Sequence, residues 1–159
     1  IKSLVVAMLV ASLAVFDAVP LASAADSPVA QSTVGAKSTT KKRKVVKHKV
    51  VFQVSDADPK KWNLALNNVR NVQKDLGKKN VDVEIVAYGP GIGMLKMDSS
   101  VGNRVSEALG SGVKVVACEN TMHAQKLGKD DMLASIGYVK AGVVELMVKQ
   151  KQGWSYIRP

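Results

Sequence analysis

From His48 onward the sequence alternates between continuous apolar runs and stretches whose apolar residues recur at helical spacing. The first run is Val50, Val51, Phe52 and Val54, and its β-branched composition is typical of a strand buried on both faces. Strands without a polar face must be covered on both sides, and helices between successive strands supply that cover. The pattern therefore predicts a three-layer α/β domain with a mostly parallel sheet of about five strands.

The spacing of apolar residues and the positions of Gly and Pro predict the other elements. Asp58 and Pro59 begin a helix that Gly77 ends, and its apolar stripe, which includes Trp62, is that of a helix packed on a core. The expected elements that follow are a strand at 81–87, a glycine-rich turn at 89–93, a helix at 100–109, a strand ending at Cys118, a short helix at 121–127, a turn at 130–137, a short strand at 138–140, a helix through 143–147 and a strand at 154–157. Ligands bind at the carboxyl ends of parallel strands, so the candidate binding edge comprises residues 55–56, 89–93, 118–121 and 141–142.

Residues 1–24 have the composition of a secretory signal peptide. Lys2 precedes an apolar stretch from Leu4 to Phe16, and Ala22-Ser23-Ala24 has the small residues of a cleavage site. The apolar stretch is shorter than the roughly 20 residues that span a bilayer, so we expect no stable membrane insertion. The sequence predicts an exported, periplasmic protein whose mature chain begins at Ala25.

Residues 25–47 form a basic segment that precedes the domain at 48–159. The chain carries a formal charge of +10, and between Ala25 and Lys49 seven Lys and Arg face one Asp. Large apolar residues are almost absent here, so the segment cannot offset its ordering entropy and we expect a disordered linker. The run Lys41–Lys44 could bind nucleic acid or anionic lipid, but no aromatic residues interleave with it, as a single-strand binding face would require. A solvated linker with no nucleic-acid partner is the favoured interpretation.

Cys118 is the only cysteine, and it lies where a predicted strand gives way to a helix. An internal disulfide is therefore impossible. Two interpretations of the thiol are open: a small buried hydrophobe, or a reactive group whose thiolate is stabilised by the N–H groups that begin the next helix. The neighbouring carboxylate of Glu119 would raise the thiol pKa unless its side chain points away.

Signals for other chemistry are weak. The segment 89–93 matches neither the dinucleotide fingerprint nor the P-loop, so its glycines are better explained by a sharp turn and a close backbone approach. Glu119 and His123 with Cys118 supply too few ligands on one short segment for a convincing zinc site. No Ser-His-Asp or Cys-His-Asp set is evident, and no hydrolase, nucleotide or metal-enzyme signature is present. We expect no metal and no cofactor.

Several segments taken together resemble the DsrE/DsrF-like sulfur-relay family. They are VVFQVS (50–55), WNLALNNVRN (62–71), VAYGPGI (86–92), VACENTM (116–122), AGVVEL (141–146) and QGWSYIRP (152–159). The resemblance covers nearly the whole predicted domain. It implies a flavodoxin-like fold, assembly as a homo-oligomer (trimer or hexamer), and a persulfide carried on a cysteine at the position of Cys118.

The leading hypothesis is a periplasmic sulfur carrier that holds sulfane sulfur as a persulfide on Cys118, with Gly89, Gly91, Asn120 and Thr121 holding the sulfur-bearing anion. Its partners would be sulfur donor and acceptor proteins and further copies of the chain. One alternative is a non-catalytic module that binds a small molecule or a protein, with a structural cysteine. Another is a redox sensor that forms a disulfide across subunits. The sequence leaves open whether the chain is an enzyme, and whether the apolar face of the helix through 143–147 packs in the core or at an interface.

Overall fold

A computed structural model describes residues 47–159. The predicted signal peptide (1–24) and all of the predicted basic linker (25–47) except Lys47 lie outside the described residues. The elements, in chain order, are β1 (His48–Val54), α1 (Pro59–Leu76), β2 (Val81–Ala87), a 3₁₀ helix (Gly89–Leu95), α2 (Gly102–Gly110), β3 (Lys114–Cys118), α3 (Glu119–Ala124), a second 3₁₀ helix (Lys129–Asp131), β4 (Gly137–Val139), α4 (Gly142–Lys151) and β5 (Ser155–Ile157).

The five strands form one parallel sheet in the order β4-β3-β2-β1-β5. In the register, Val50 lies beside Val83 of β2 and Ser155 of β5, and Cys118 lies beside Val139 of β4. Helices cover both faces of this sheet. The predicted flavodoxin-like, three-layer α/β fold is therefore confirmed.

The direction of the crossovers decides which helix covers which face. From β1 to β4 each new strand is added on the same side of the previous one, whereas β5 returns to the far edge beside β1. Because parallel crossovers are right-handed, the last connection must place its helix on the face opposite the earlier ones. Accordingly α1 and α2 pack on one face, here called the first face, and α4 packs on the other, the second face.

The first face carries the larger core. Phe52 and Ile85 of the sheet are fully buried there, and they pack with Trp62 and Leu66 of α1 and Val105 of α2. The signals that predicted α1 are confirmed. The carboxylate of Asp58 accepts a hydrogen bond from the Lys60 N–H (2.8 Å), and Gly77 ends the helix with a positive φ of 84°.

The second face has a thinner layer. In the described part of the chain, α4 is the helix that covers it, and Leu146 is its one buried large side chain, packed with Val51 and Val86 of the sheet. Val143, Val144 and Met147 are 52, 55 and 62% exposed, so the apolar face of α4 points outward. Beneath α4 the Lys149 Nζ lies 2.6 Å from Glu84 Oε2 on β2.

Two predicted elements differ most from the structure, and the helix predicted at 100–109 runs instead from Gly102 to Gly110. The expected turn at 89–93 is instead a 3₁₀ helix, because Gly91 N–H closes onto the Tyr88 carbonyl (3.1 Å) and the ladder continues to Leu95. The short helix expected at 121–127 begins two residues earlier and ends at Ala124. It starts directly from the strand end, and the left-handed backbone of Lys126 (φ 57°) prevents its continuation.

Candidate functional site

Cys118 is the last residue of β3 and the N-cap position of α3. It thus lies at the carboxyl end of the sheet, as the sequence predicted. Alternation along the strand puts its side chain on the same face as Val116, which packs against the cluster beneath α4. The residue is 5% exposed, so the thiol is nearly covered in this conformation.

Backbone N–H groups from two helices surround the thiol. Burial alone would raise the pKa of Cys118, but hydrogen bonds to the thiolate from the Thr121 hydroxyl and from the N–H groups of Gly142, Thr121 and Asn120 outweigh burial and lower the pKa below its ordinary value. The protonated thiol instead faces the Lys140 carbonyl, with Sγ to O at 4.0 Å. The site therefore favours the nucleophilic form of the sulfur.

Thr121 is held in position by the glycine-rich segment. Its Oγ1 accepts a hydrogen bond from Gly89 N–H (2.9 Å), which leaves its own proton free to point toward Cys118. The Gln125 amide donates to the Gly89 carbonyl (3.3 Å) and ties α3 to the same segment a second time. Gly89 has a positive φ of 53°, a conformation that favours glycine.

Gly91 has a packing role. A Cβ at this position would lie 2.6 Å from the Val54 carbonyl carbon, so only glycine lets the 3₁₀ helix rest on the end of β1. Its N–H is bonded to the Tyr88 carbonyl. The N–H groups of Gly89 and Gly91 are thus both engaged inside the protein, and the structure brings the two glycines next to the site as supports for Thr121 and β1.

A cleft of about 350 Å³ lies at the start of α3 and of α4. Asn120 lines it together with Lys140, Ala141, Val144 and Glu145. The backbone N–H of Asn120 is shared: it contributes to the lowered pKa of Cys118, and it donates to the Lys140 carbonyl (3.1 Å), which fastens the start of α3 to the segment that leads into α4. The cleft is large enough for a small ligand.

Gly142 was predicted only as part of the binding edge, and its N–H at the thiolate was not foreseen. Its Cα packs against Tyr88, where an added Cβ would lie 3.0 Å from the Tyr88 Cβ. This close approach brings the first turn of α4 to the sulfur. The signal in the sequence was the Ala141-Gly142 pair before an apolar stretch, but nothing in it specified the contact with Cys118.

Asp56, at the end of β1, is engaged in ion pairs. Its carboxylate lies 3.6 Å from Lys61 Nζ and 3.6 Å from an Arg158 amine, and its carbonyl accepts from the Trp62 indole (2.7 Å). The end of β1 therefore joins α1 to the segment after β5, on the side of the sheet away from β3.

Within residues 47–159 no group of three His, Cys, Asp or Glu side chains is placed to hold a metal ion. No helix in that range combines the length and apolar character needed to cross a membrane.

Comparisons with known proteins agree with the fold. A family model described as the DsrE/DsrF-like family matches residues 48–159. A protein of unknown function from Methanobacterium thermoautotrophicum, MTH1491, is 39% identical, with a TM-score of 0.68 over 71% of this chain and 100% of its own. No curated protein matches the sequence.

Two more distant structures share the fold. The conserved protein of unknown function BT1422 from Bacteroides thetaiotaomicron is 17% identical, with a TM-score of 0.56 over 70% of this chain and 94% of its own. The ychN protein from E. coli is 9% identical, with a TM-score of 0.58 over 71% of this chain and 99% of its own.

Proposed function

The chain belongs to the DsrE/DsrF-like family, and from this premise we propose that it is a sulfur carrier which holds sulfane sulfur as a persulfide on Cys118. Membership supports a function of the sulfur-relay type. The observation that carries the finer proposal is the set of donors around the thiol, because they lower its pKa in a nearly buried position. A sulfur with stabilised negative charge can attack a sulfur–sulfur bond without a metal or a second cysteine.

Loading is a simple displacement. The Cys118 thiolate attacks the terminal sulfur of a hydropersulfide R–S–SH, the S–S bond breaks, and the thiolate RS⁻ leaves with the electron pair; from a hydrogen polysulfide the leaving group is the polysulfide shorter by one sulfur. The proton of the transferred SH group passes to the leaving group. Cys118 then carries one additional sulfur as a persulfide anion. Unloading repeats the displacement with an acceptor thiolate, so neither step needs an external oxidant or reductant.

Each site residue has a distinct part in this proposal. Thr121 and the N–H groups of Asn120 and Gly142 stabilise negative charge on the sulfur. Gly89 holds the Thr121 hydroxyl in its orientation. Gly91 allows the 3₁₀ helix at Gly89–Leu95 to pack against the end of β1. The cleft lined by Asn120 is the space in which the added sulfur and the sulfur-bearing anion would lie.

The test is to incubate the full chain with polysulfide and to record its intact mass with and without reductant. We expect the wild type to gain whole sulfur atoms that reductant removes, and Cys118→Ser to gain none. Persistent loading of the serine variant would contradict the proposal, as would an unloaded wild type whose thiol is nevertheless alkylated readily in the folded state.

The second candidate function is a binding module in which Cys118 only packs, and its 5% exposure favours this alternative. In that case the folded protein should resist a thiol reagent until it is denatured, and the cleft beside Asn120 would take a ligand unrelated to sulfur. Alkylation rates measured in native and denaturing buffer distinguish the two functions.

Export and assembly are also part of the proposal. The stretch from Leu4 to Phe16 and the Ala22-Ser23-Ala24 site support a periplasmic location, and fractionation followed by N-terminal sequencing at Ala25 would test it. The exposed apolar row on α4, formed by Val143, Val144 and Met147, supports a homo-oligomer, and the family resemblance implies a trimer or hexamer; light scattering on the purified chain measures the number of copies. Sulfur donor and acceptor proteins would then dock on the assembled form.

A further inference from the structure

A second cavity lies on the first face, between α1 and α2. Its volume is about 420 Å³, and Leu66, Val69 and Ala108 form its apolar floor. Cys118 faces the opposite side of the sheet, beneath α4, so this groove is separate from the candidate sulfur site. Small-molecule pockets commonly have volumes from roughly 300 to 1,000 Å³ and such an apolar lining.

The rim of the groove is strongly basic. Arg70, Lys74, Lys78 and Arg104 line it, against a single carboxylate, that of Glu107. None of these four cations forms an ion pair with a carboxylate of residues 47–159. The rim therefore carries four cations against one carboxylate, and this excess of positive charge would attract an anion into the groove.

Two of the cations are held close together by a neutral partner. One Arg104 amine donates to Asn67 Oδ1 (2.7 Å), and its other amine contacts the Asn63 side-chain oxygen. Arg70 also reaches Asn67 Oδ1, at 3.5 Å. The amide oxygens orient both guanidinium groups without cancelling their charge, so two like charges converge on one acceptor. An anion between them would relieve the repulsion and could accept hydrogen bonds in a forked geometry.

We propose that this groove binds a small amphipathic anion, with an apolar body on the floor formed by Leu66, Val69 and Ala108 and a carboxylate between Arg70 and Arg104. A medium-chain fatty acid has this chemistry. The groove does not include Cys118, so a test of this binding site is independent of the test of the sulfur-carrier proposal.

The test compares decanoate with decanol, which has the same chain length but no charge. Each is titrated into the ¹⁵N-labelled full chain and followed by amide chemical shifts. We expect decanoate to bind at least tenfold more tightly than decanol, with the shifts concentrated on α1 and α2 around Leu66 and Ala108, because charge-assisted hydrogen bonds contribute strongly where a ligand is partly desolvated.

Variants distinguish the effect of the groove's cations on decanoate affinity from the effect of surface charge elsewhere. Arg104→Gln should weaken decanoate binding about ten- to a hundredfold. Arg70→Gln provides the second test, because Arg70 is exposed and its replacement should leave the fold intact. The matched control is Lys79→Gln, an exposed cation outside the groove, which should change the affinity by less than about twofold.

Four results would overturn the proposal. Decanoate could fail to bind, it could bind no better than decanol, or it could produce its shifts on the exposed apolar row of α4 instead of the groove. Unchanged affinity for decanoate in both Arg104→Gln and Arg70→Gln would also overturn it, since it would show that neither guanidinium group contacts the carboxylate.

Discussion

Replacing Lys149 by Met should destabilise the domain far more than an ordinary lysine substitution. Lys149 Nζ lies 2.6 Å from Glu84 Oε2, and the two side chains are only 12 and 2% exposed. Methionine keeps the apolar stem of lysine and removes the charge, so the change isolates the ion pair from packing. It leaves the Glu84 carboxylate buried without its cation.

The size of the loss follows from that burial. Removing one partner of a buried pair costs about 3–5 kcal/mol, because the remaining charge has neither water nor counterion. Glu84 Oε1 is buried with no hydrogen-bond partner, so nothing else nearby can take over the role of Lys149. Lys149 also lies 4.5 Å from the centroid of the Trp154 ring, and the loss of that cation–π contact adds about 0.5–2 kcal/mol.

Urea unfolding of the full chain, followed by tryptophan fluorescence, measures the difference. The matched control is Lys47→Met, because Lys47 pairs with Asp82 but the two are 45 and 42% exposed. An exposed pair contributes at most about 1 kcal/mol. If Lys149→Met costs no more than Lys47→Met, the argument that Glu84 depends on Lys149 is refuted.

A double variant checks the mechanism. Replacing Glu84 by Leu together with Lys149→Met removes both charges and should recover most of the lost stability, because the cost lies in the uncompensated carboxylate. Failure to recover it would mean that Lys149 acts through its cation–π contact with Trp154 or through its 3.3 Å contact with Glu145.

The pH dependence has a defined sign. Burial raises the pKa of Glu84 above that of the unfolded chain, and Lys149 opposes this rise. Without Lys149 the rise is larger, so the deficit of the variant should be greatest at neutral pH and should shrink as pH falls and Glu84 takes up a proton. Burial lowers the pKa of Lys149, but the carboxylates of Glu84 and Glu145 outweigh burial and raise it. This contribution is complete below the unfolded-chain pKa of about 10.4 and is lost as pH rises through the folded value, so the wild type should lose stability faster than the variant in alkali.

Two further predictions concern the site. Gly91→Ala should lower the free energy of unfolding by about 1–3 kcal/mol, because the added Cβ would overlap the Val54 carbonyl. The control is Gly110→Ala, where a Cβ meets nothing within 4 Å and the change should be neutral or slightly stabilising. Thermal unfolding measures both variants, and equal melting temperatures would contradict the prediction. Thr121→Val should raise the pKa of Cys118 and slow its alkylation by iodoacetamide at neutral pH on the order of tenfold, because the hydroxyl donor is lost. Thr121→Ser keeps the hydroxyl and should keep the rate. If the valine variant reacts as fast as the wild type, the hydroxyl is not a donor to the sulfur.

The parts of the fold that depend on local signals were predictable. The bounds of β2 match the predicted 81–87, and α1 runs from Pro59 to the residue before Gly77, because caps and apolar runs act over a few neighbouring residues. The position of Cys118 at a strand end was predictable for the same reason.

The partners of the thiol were less accessible to sequence reasoning. Thr121 was foreseen as a site residue, but its bond to Gly89 joins positions 32 apart in the chain. The pair formed by Lys149 and Glu84 joins positions 65 apart. Contacts of this kind depend on where a crossover returns over the sheet, and no local pattern specifies that.

The return of the chain over the second face explains why α4 has several roles at once. Right-handed crossovers put α1 and α2 on the first face, so in the described part of the chain a single helix covers the other one. With Leu146 as its one large buried side chain, α4 depends on Lys149 for a firm position on the sheet. Its first turn supplies the Gly142 N–H that lowers the pKa of Cys118. A loosened α4 should therefore remove both the burial that raises the pKa of Cys118 and the Gly142 N–H that lowers it, and this would couple the buried ion pair to the exposure and reactivity of the thiol.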